Sequence, residues 1–139
     1  MSVRKNDRDK GDLEVINASR ILIDYTYDRV RDQKIFPKKE RWLMAKSIWD
    51  AVVGLRTCIL RANDIRVETK EDAEERLLLE KEALGYLGTL ETLIDLCHIK
   101  NVISDDRAEY WTKLVTDTLK PLKGWLKSDR VRYKPYLKG

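Results

Sequence analysis

Few side chains in this sequence are of a type and spacing that could do covalent or metal chemistry. Its one histidine, His98, adjoins Cys97, and the second cysteine, Cys58, lies far upstream with no CxxC spacing. Adjacent positions on a helix point about 100° apart, so Cys97 and His98 are poor co-ligands for one ion. No Glu-x-x-His pair stands ready for a di-iron bundle. GxGxxG, GxxxxGK[ST] and a nucleophile elbow are all absent. The reading is a protein that is not an enzyme and needs no metal or cofactor.

What the sequence does carry is fixed positive charge. At about 100° per residue, Lys113, Lys120, Lys123 and Lys127 fall on one side of a helix, with Glu109 at the head of the row and Asp117 at its edge. A second group, Lys38, Lys39, Arg41 and Lys46, opens another helix, and Arg130, Arg132, Lys134 and Lys138 follow the first. Lysine and arginine placed on phosphates release counterions, so such an array binds nucleic acid in a salt-dependent way without reading sequence. Tyr133 and Tyr136 could add stacking on unpaired bases. The same pattern also suits a solvated lysine face that binds nothing.

The net charge of +4 conceals strong segregation. Residues 29–66 carry 10 basic and 4 acidic side chains, residues 67–119 carry 6 and 13, and residues 120–139 carry 7 and 1. Local fields are therefore strong although the total is small. With 139 residues there is chain enough for one domain and a core without disulfides or metal. The polar N-terminus lacks a secretory signal, and no apolar run approaches the roughly 20 residues that span a bilayer. Together with unpaired cysteines, this predicts a cytoplasmic protein with no membrane partner.

Four amphipathic stretches must position these charges. The first is expected from Asp12 to Gln33, with Ile16, Leu22, Ile23, Tyr27 and Val30 inward. Pro37 suits the first turn of the second, which runs to Arg66 with Trp42, Ile48, Trp49, Val52, Val53, Ile59 and Leu60 inward. Thr69-Lys70-Glu71-Asp72 is a capping-box-like start for the third, which reaches Lys100 over Ala73, Leu77, Leu84, Leu87, Leu90, Ile94 and Cys97. Ser104 caps the fourth, Asp105 to Ser128, with Trp111, Leu114, Val115, Thr118, Leu122, Trp125 and Leu126 inward and a kink expected at Pro121. Short connections predict an all-α fold, an up-down-up-down antiparallel four-helix bundle forming a single domain. Residues 1–12 are expected to be a flexible N-terminus, residues 13–128 the bundle, and residues 129–139 a basic C-terminal tail that orders on binding.

Two features do not fit simple amphipathicity. Arg56 projects into the apolar arc of the second helix and needs a carboxylate, for which Glu91 on the core face of the third is the candidate; Glu91 could equally reach solvent past the rim. Gly85, Gly88 and Thr92 form a small-residue stripe on the third helix. Each glycine costs about 1 kcal/mol relative to alanine, which suggests that another helix or chain packs closely there, a candidate oligomer contact, with a merely tolerated pair of glycines as the alternative. The carboxylates from Glu71 to Glu82 read mostly as the solvated, acidic first half of a helix.

The segments Phe36-Pro37-Lys38-Lys39-Glu40-Arg41-Trp42 and Ala83-Leu84-Gly85-Tyr86-Leu87-Gly88-Thr89-Leu90-Glu91-Thr92 resemble a family of small four-helix-bundle proteins. It includes proteins encoded in ribosomal RNA intervening sequences and the accessory variability determinant, Avd, of diversity-generating retroelements. The ending Leu119-Lys120-Pro121-Leu122-Lys123-Gly124-Trp125-Leu126-Lys127-Ser128 looks closer to Avd. That resemblance implies a basic homopentamer that binds the retroelement reverse transcriptase and its template RNA, cDNA or RNA/DNA hybrid, in support of mutagenic cDNA synthesis. Its basic positions carry over to Lys38, Lys39, Arg41, Lys120, Lys123 and Lys127. Pro121 and the acidic run from Glu71 to Glu82 depart from the family's pattern. They keep open a ribosomal intervening-sequence-type bundle acting as a protein–protein scaffold.

Overall fold

The computed structural model describes the backbone of residues 2–138 and the side chains of residues 14–138. The regular structure of the described residues is all helical, with no strand: α1 (Ser2–Val30), α2 (Lys38–Glu40), a π-helical turn (Arg41–Ala45), α3 (Lys46–Asp64), α4 (Lys70–Ile99), α5 (Asp105–Arg132) and α6 (Lys134–Leu137). α1 packs on α3 and α5, and α4 packs on the same two helices. The expected flexibility of residues 1–12 falls on side chains outside the described set.

Local chemistry accounts for the helix ends. After α1, Asp32 Oδ1 accepts the Lys34 N–H at 2.9 Å, and the turn drives Ile35 and Phe36 into the core. α1 therefore stops at Val30 rather than Gln33. Thr69 and Asp72 form the expected capping box. α4 ends where Asn101 takes a left-handed φ of 59°. Val102 N–H then reaches Cys97 O at 2.8 Å and Asn101 N–H reaches His98 O at 3.1 Å, the paired bonds of a Schellman cap. Ser104 Oγ accepts the Arg107 N–H at the start of α5.

The core is built largely from the expected faces. Trp111, Leu114, Val115, Thr118, Leu122, Trp125 and Leu126 of α5 are all buried, and Lys113, Lys120, Lys123 and Lys127 are exposed. On α1 the phase differs by about one position: Val15, Ser19, Leu22 and Thr26 are buried, and Tyr27 is half exposed. Both polar members are satisfied, since Ser19 Oγ donates to Ile16 O, and Thr26 Oγ1 donates to Leu22 O while accepting Trp111 Nε1–H at 3.1 Å.

The π-helical turn explains the largest departure. Lys46 N–H bonds Arg41 O, five residues back, so one extra residue is inserted and the stripe before it rotates relative to the stripe after it. Ile48, Val52 and Ile59 face inward as expected, whereas Trp42 is 76% exposed and Leu43 70% exposed. The inserted residue also brings Met44 and Ala45 into the core, and Leu55, Cys58 and Ala62 follow further along α3.

Candidate nucleic-acid interface

A buried ionic cluster holds the C-terminal segment in place. Arg76 of α4 and Asp129 of α5 are buried, and Arg76 Nε lies 2.7 Å from Asp129 Oδ2 and 3.5 Å from Glu80 Oε2. Arg76 Nη1 also donates to Ala62 O and Ile65 O at the end of α3. Its guanidinium lies 5.1 Å from the Trp125 ring and 5.5 Å from that of Tyr133. Burial works against the Arg76 charge, but Asp129, Tyr133 and Glu80 outweigh it and raise its pKa.

Within the mostly solvated acidic run from Glu71 to Glu82, Glu80 is fully buried. The cluster overturns two expectations. Residues 129–138 do not form a tail: α5 continues to Arg132, α6 follows, and Asp129 and Tyr133 are buried against α4. The buried arginine–carboxylate lock is Arg76 with Asp129, not Arg56 with Glu91. Arg56 Nη1 turns to α1 and donates to Ile16 O at 2.7 Å and Ser19 Oγ at 2.8 Å. Glu91 is exposed and lines an open groove of about 340 Å³ with Thr92, Asp95, His98 and Thr112. Arg56 could satisfy its donors on carbonyl and hydroxyl oxygens close by, so no carboxylate from α4 had to enter the core.

The ten nominated cations divide into two groups. Lys46 pairs with Asp50 at 2.8 Å, Lys113 with Asp117 at 2.9 Å, and Arg132 with Asp129 at 3.1 Å. Lys38, Lys39, Arg41, Lys120, Lys123, Lys127 and Arg130 are exposed and carry no ion pair among the described residues.

The exposed cations do not form one continuous patch. Lys127 lies beside Asp129, at the Arg76 end of α4, whereas Glu40, next to Lys39 and Arg41, acts electrostatically on Cys97 near the other end. Arg76 and Cys97 are separated by about 30 Å of helix. The α2 head and Lys127 therefore lie toward opposite ends of α4.

The small-residue stripe is open. A Cβ added at Gly85 or Gly88 would meet nothing within 4 Å. Thr89 and Thr92 turn their hydroxyls back onto Gly85 O and Gly88 O. Gly54 is the glycine that does permit a close approach, because Tyr86 lies flat over it and a Cβ there would meet the ring at 2.5 Å.

The cysteines and the histidine each sit in a separate environment. Burial, with a contribution from Glu40, pushes the Cys97 thiol up to about 11. Burial and Glu82 raise Cys58, whose Sγ lies 3.9 Å from Glu82 Oε2. His98 Nε2 meets Asp105 Oδ1 at 2.6 Å. Among the described residues no cluster of three or more His, Cys, Asp or Glu could hold a metal ion, and no helix is long and apolar enough to cross a membrane. Compared with family models, with curated proteins and with solved structures, the chain matches none.

Proposed function

We propose that this chain is a non-enzymatic, RNA-binding accessory protein of the kind its sequence resembles, the Avd partner of a retroelement reverse transcriptase. The observation that carries the reading is the row Lys120, Lys123 and Lys127, exposed and outside the ion pairs, on the side of α5 opposite its buried stripe. A polyanion laid along that row releases counterions at each ammonium, and no base edge has to be read. On this reading the four long helices form an up-down-up-down antiparallel bundle. Contacts between Ala62 and Arg76, Cys58 and Glu82, and Gly54 and Tyr86, with numbering falling on α3 as it rises on α4, support that arrangement.

The reading includes self-association into a homopentamer in the cytoplasm, with Gly85, Gly88 and Thr92 as the subunit contact. Support comes from the open space over both glycines and from the exposure of Leu96 and Ile99 further along α4. The same open face favours the second reading, a ribosomal intervening-sequence-type scaffold that binds protein. Sizing the protein with and without RNA separates them, because a scaffold ignores nucleic acid. For the preferred reading, the Lys120→Gln, Lys123→Gln, Lys127→Gln triple variant weakens RNA retention across unrelated sequences and flattens its salt dependence. Undiminished retention at moderate salt overturns it.

A further inference from the structure

We infer that Trp42 is a stacking platform for unpaired bases, which makes the α2 head a site for single-stranded rather than duplex RNA. The inference rests on the RNA-binding reading and extends it to a named surface and a substrate class.

Among the described residues Trp42 is the most exposed of the large apolar side chains, at 76%. Burying an indole is among the larger gains available to a folding chain, so leaving one in water forgoes stability. The exposure follows from the backbone, because the π-helical turn rotates Trp42 off the core stripe onto an outer face. Single π-turns inside α-helices occur often at functional sites. The neighbours are specific as well. Lys38 precedes Trp42 by four residues, Lys39 by three and Arg41 by one, and all three are exposed and outside the ion pairs of the described residues.

An exposed indole with three exposed cations within four residues of it suits a ligand that presents flat π-faces and negative charge together. Single-stranded nucleic acid does so, since stacking accepts any base while the cations follow the backbone. Duplex RNA keeps its base faces inside the stack and offers only phosphates and groove edges. A second copy of this chain approaching on the same surface would oppose three like charges to three more. Of the two tyrosines in the C-terminal basic segment, Tyr133 is buried under Arg76 and Arg132 and closed to a base, and Tyr136, half as exposed as Trp42, packs edge-on against Tyr133.

The test titrates the full chain with a short oligouridylate and with an RNA duplex of equal length, following anisotropy of a labelled strand. Trp42→Ala is expected to weaken single-strand binding about tenfold and leave duplex affinity within about twofold, while Trp42→Phe retains most of the single-strand affinity. Lys38→Gln with Lys39→Gln weakens both ligands. Because the side chain is exposed, Trp42→Ala keeps the helical signal and melting temperature; if it does not, Trp42→Phe and Trp42→Lys carry the comparison. Single-strand affinity that ignores all Trp42 substitutions, while binding stays salt-dependent, overturns this inference and leaves the RNA reading intact. Failure to retain either RNA overturns both. A Trp42→Ala effect confined to subunit association or to anionic phospholipid vesicles also overturns it, in favour of those occupants.

Discussion

Arg76 and Asp129 meet at 2.7 Å across 53 positions of sequence, both buried, and the bond joins the first third of α4 to the last turn of α5. Removing one partner of a buried pair strands the other charge in a poorly polarisable site. Asp129→Ala should therefore cost about 3–5 kcal/mol, read from urea denaturation. Replacing Arg76, Glu80 and Asp129 together by Met, Leu and Leu should recover most of that loss, because no charge is then left buried. Glu91→Ala, at the exposed site first expected to hold the pair, should change stability by less than about 0.5 kcal/mol. A Glu91 effect equal to that of Asp129 contradicts this assignment.

Most of α5 was legible because its apolar residues keep one pitch from Trp111 to Leu126, and a constant pitch is what a helical projection assumes. Where the backbone departs from that pitch, the projection fails. The π-helical turn at Arg41–Ala45 shifts the phase, so Trp42 reads as core and stands in water. The C-terminal segment was missed for another reason. Its composition is that of a solvated tail, and its order depends on two residues, Asp129 and Tyr133, whose partner Arg76 lies on another helix. Averages over a window cannot show one long-range bond. Gly85 and Gly88 show the limit of residue type alone, since glycine marks close packing only when something lies opposite, and here that is true of Gly54 instead.

The contact between Gly54 and Tyr86 gives a substitution whose sign depends on its background. Alanine in a helix gains about 1 kcal/mol over glycine, but a Cβ at Gly54 would lie 2.5 Å from the Tyr86 ring and force it outward. Gly54→Ala should thus destabilise the native chain by about 1 kcal/mol net and stabilise a Tyr86→Ala chain by a similar amount. A thermodynamic cycle with no coupling between the two would exclude the close approach.

Gly85→Ala and Gly88→Ala add a methyl into open space. Each should raise the stability of the dissociated chain by about 0.5–1 kcal/mol. If the stripe is a subunit contact, the same changes shift the assembly toward monomer in sedimentation. Higher stability with unaltered association would remove the stripe from the interface.

Lys113 and Lys123 lie on the same helix but differ in their partners. The hydrogen bond from Lys113 to Asp117 raises the Lys113 pKa and engages its ammonium, whereas Lys123 is exposed without an ion pair among the described residues. On the RNA-binding reading, Lys123→Gln should reduce the slope of log affinity against log salt by about 0.7–0.9, and Lys113→Gln by less. Asp117→Asn should move the other way, freeing Lys113 and strengthening RNA binding. Equal slopes for all three would show that the row does not lie on phosphates.

Cys97 supplies the pH dependence. Its thiol sits in the core, where burial first and Glu40 second push its pKa from 9.0 up to about 11. In the unfolded chain the thiol loses its proton near 9.0, while in the folded chain it keeps it. Between those values the native state binds more protons than the unfolded one, so stability falls as pH rises. The loss begins near 9.0, ends near 11 and amounts to roughly 3 kcal/mol. Urea midpoints measured across that range should decline, and Cys97→Ala should make the decline shallower while lowering stability at neutral pH through the small cavity it leaves. Cys58, raised less, accounts for part of the remaining slope. In the native protein at pH 8 Cys97 should resist alkylation by iodoacetamide, since the reactive thiolate is scarce and the sulfur is covered. Rapid labelling there would mean that α4 opens at its Cys97 end far more readily than the full burial of that side chain implies.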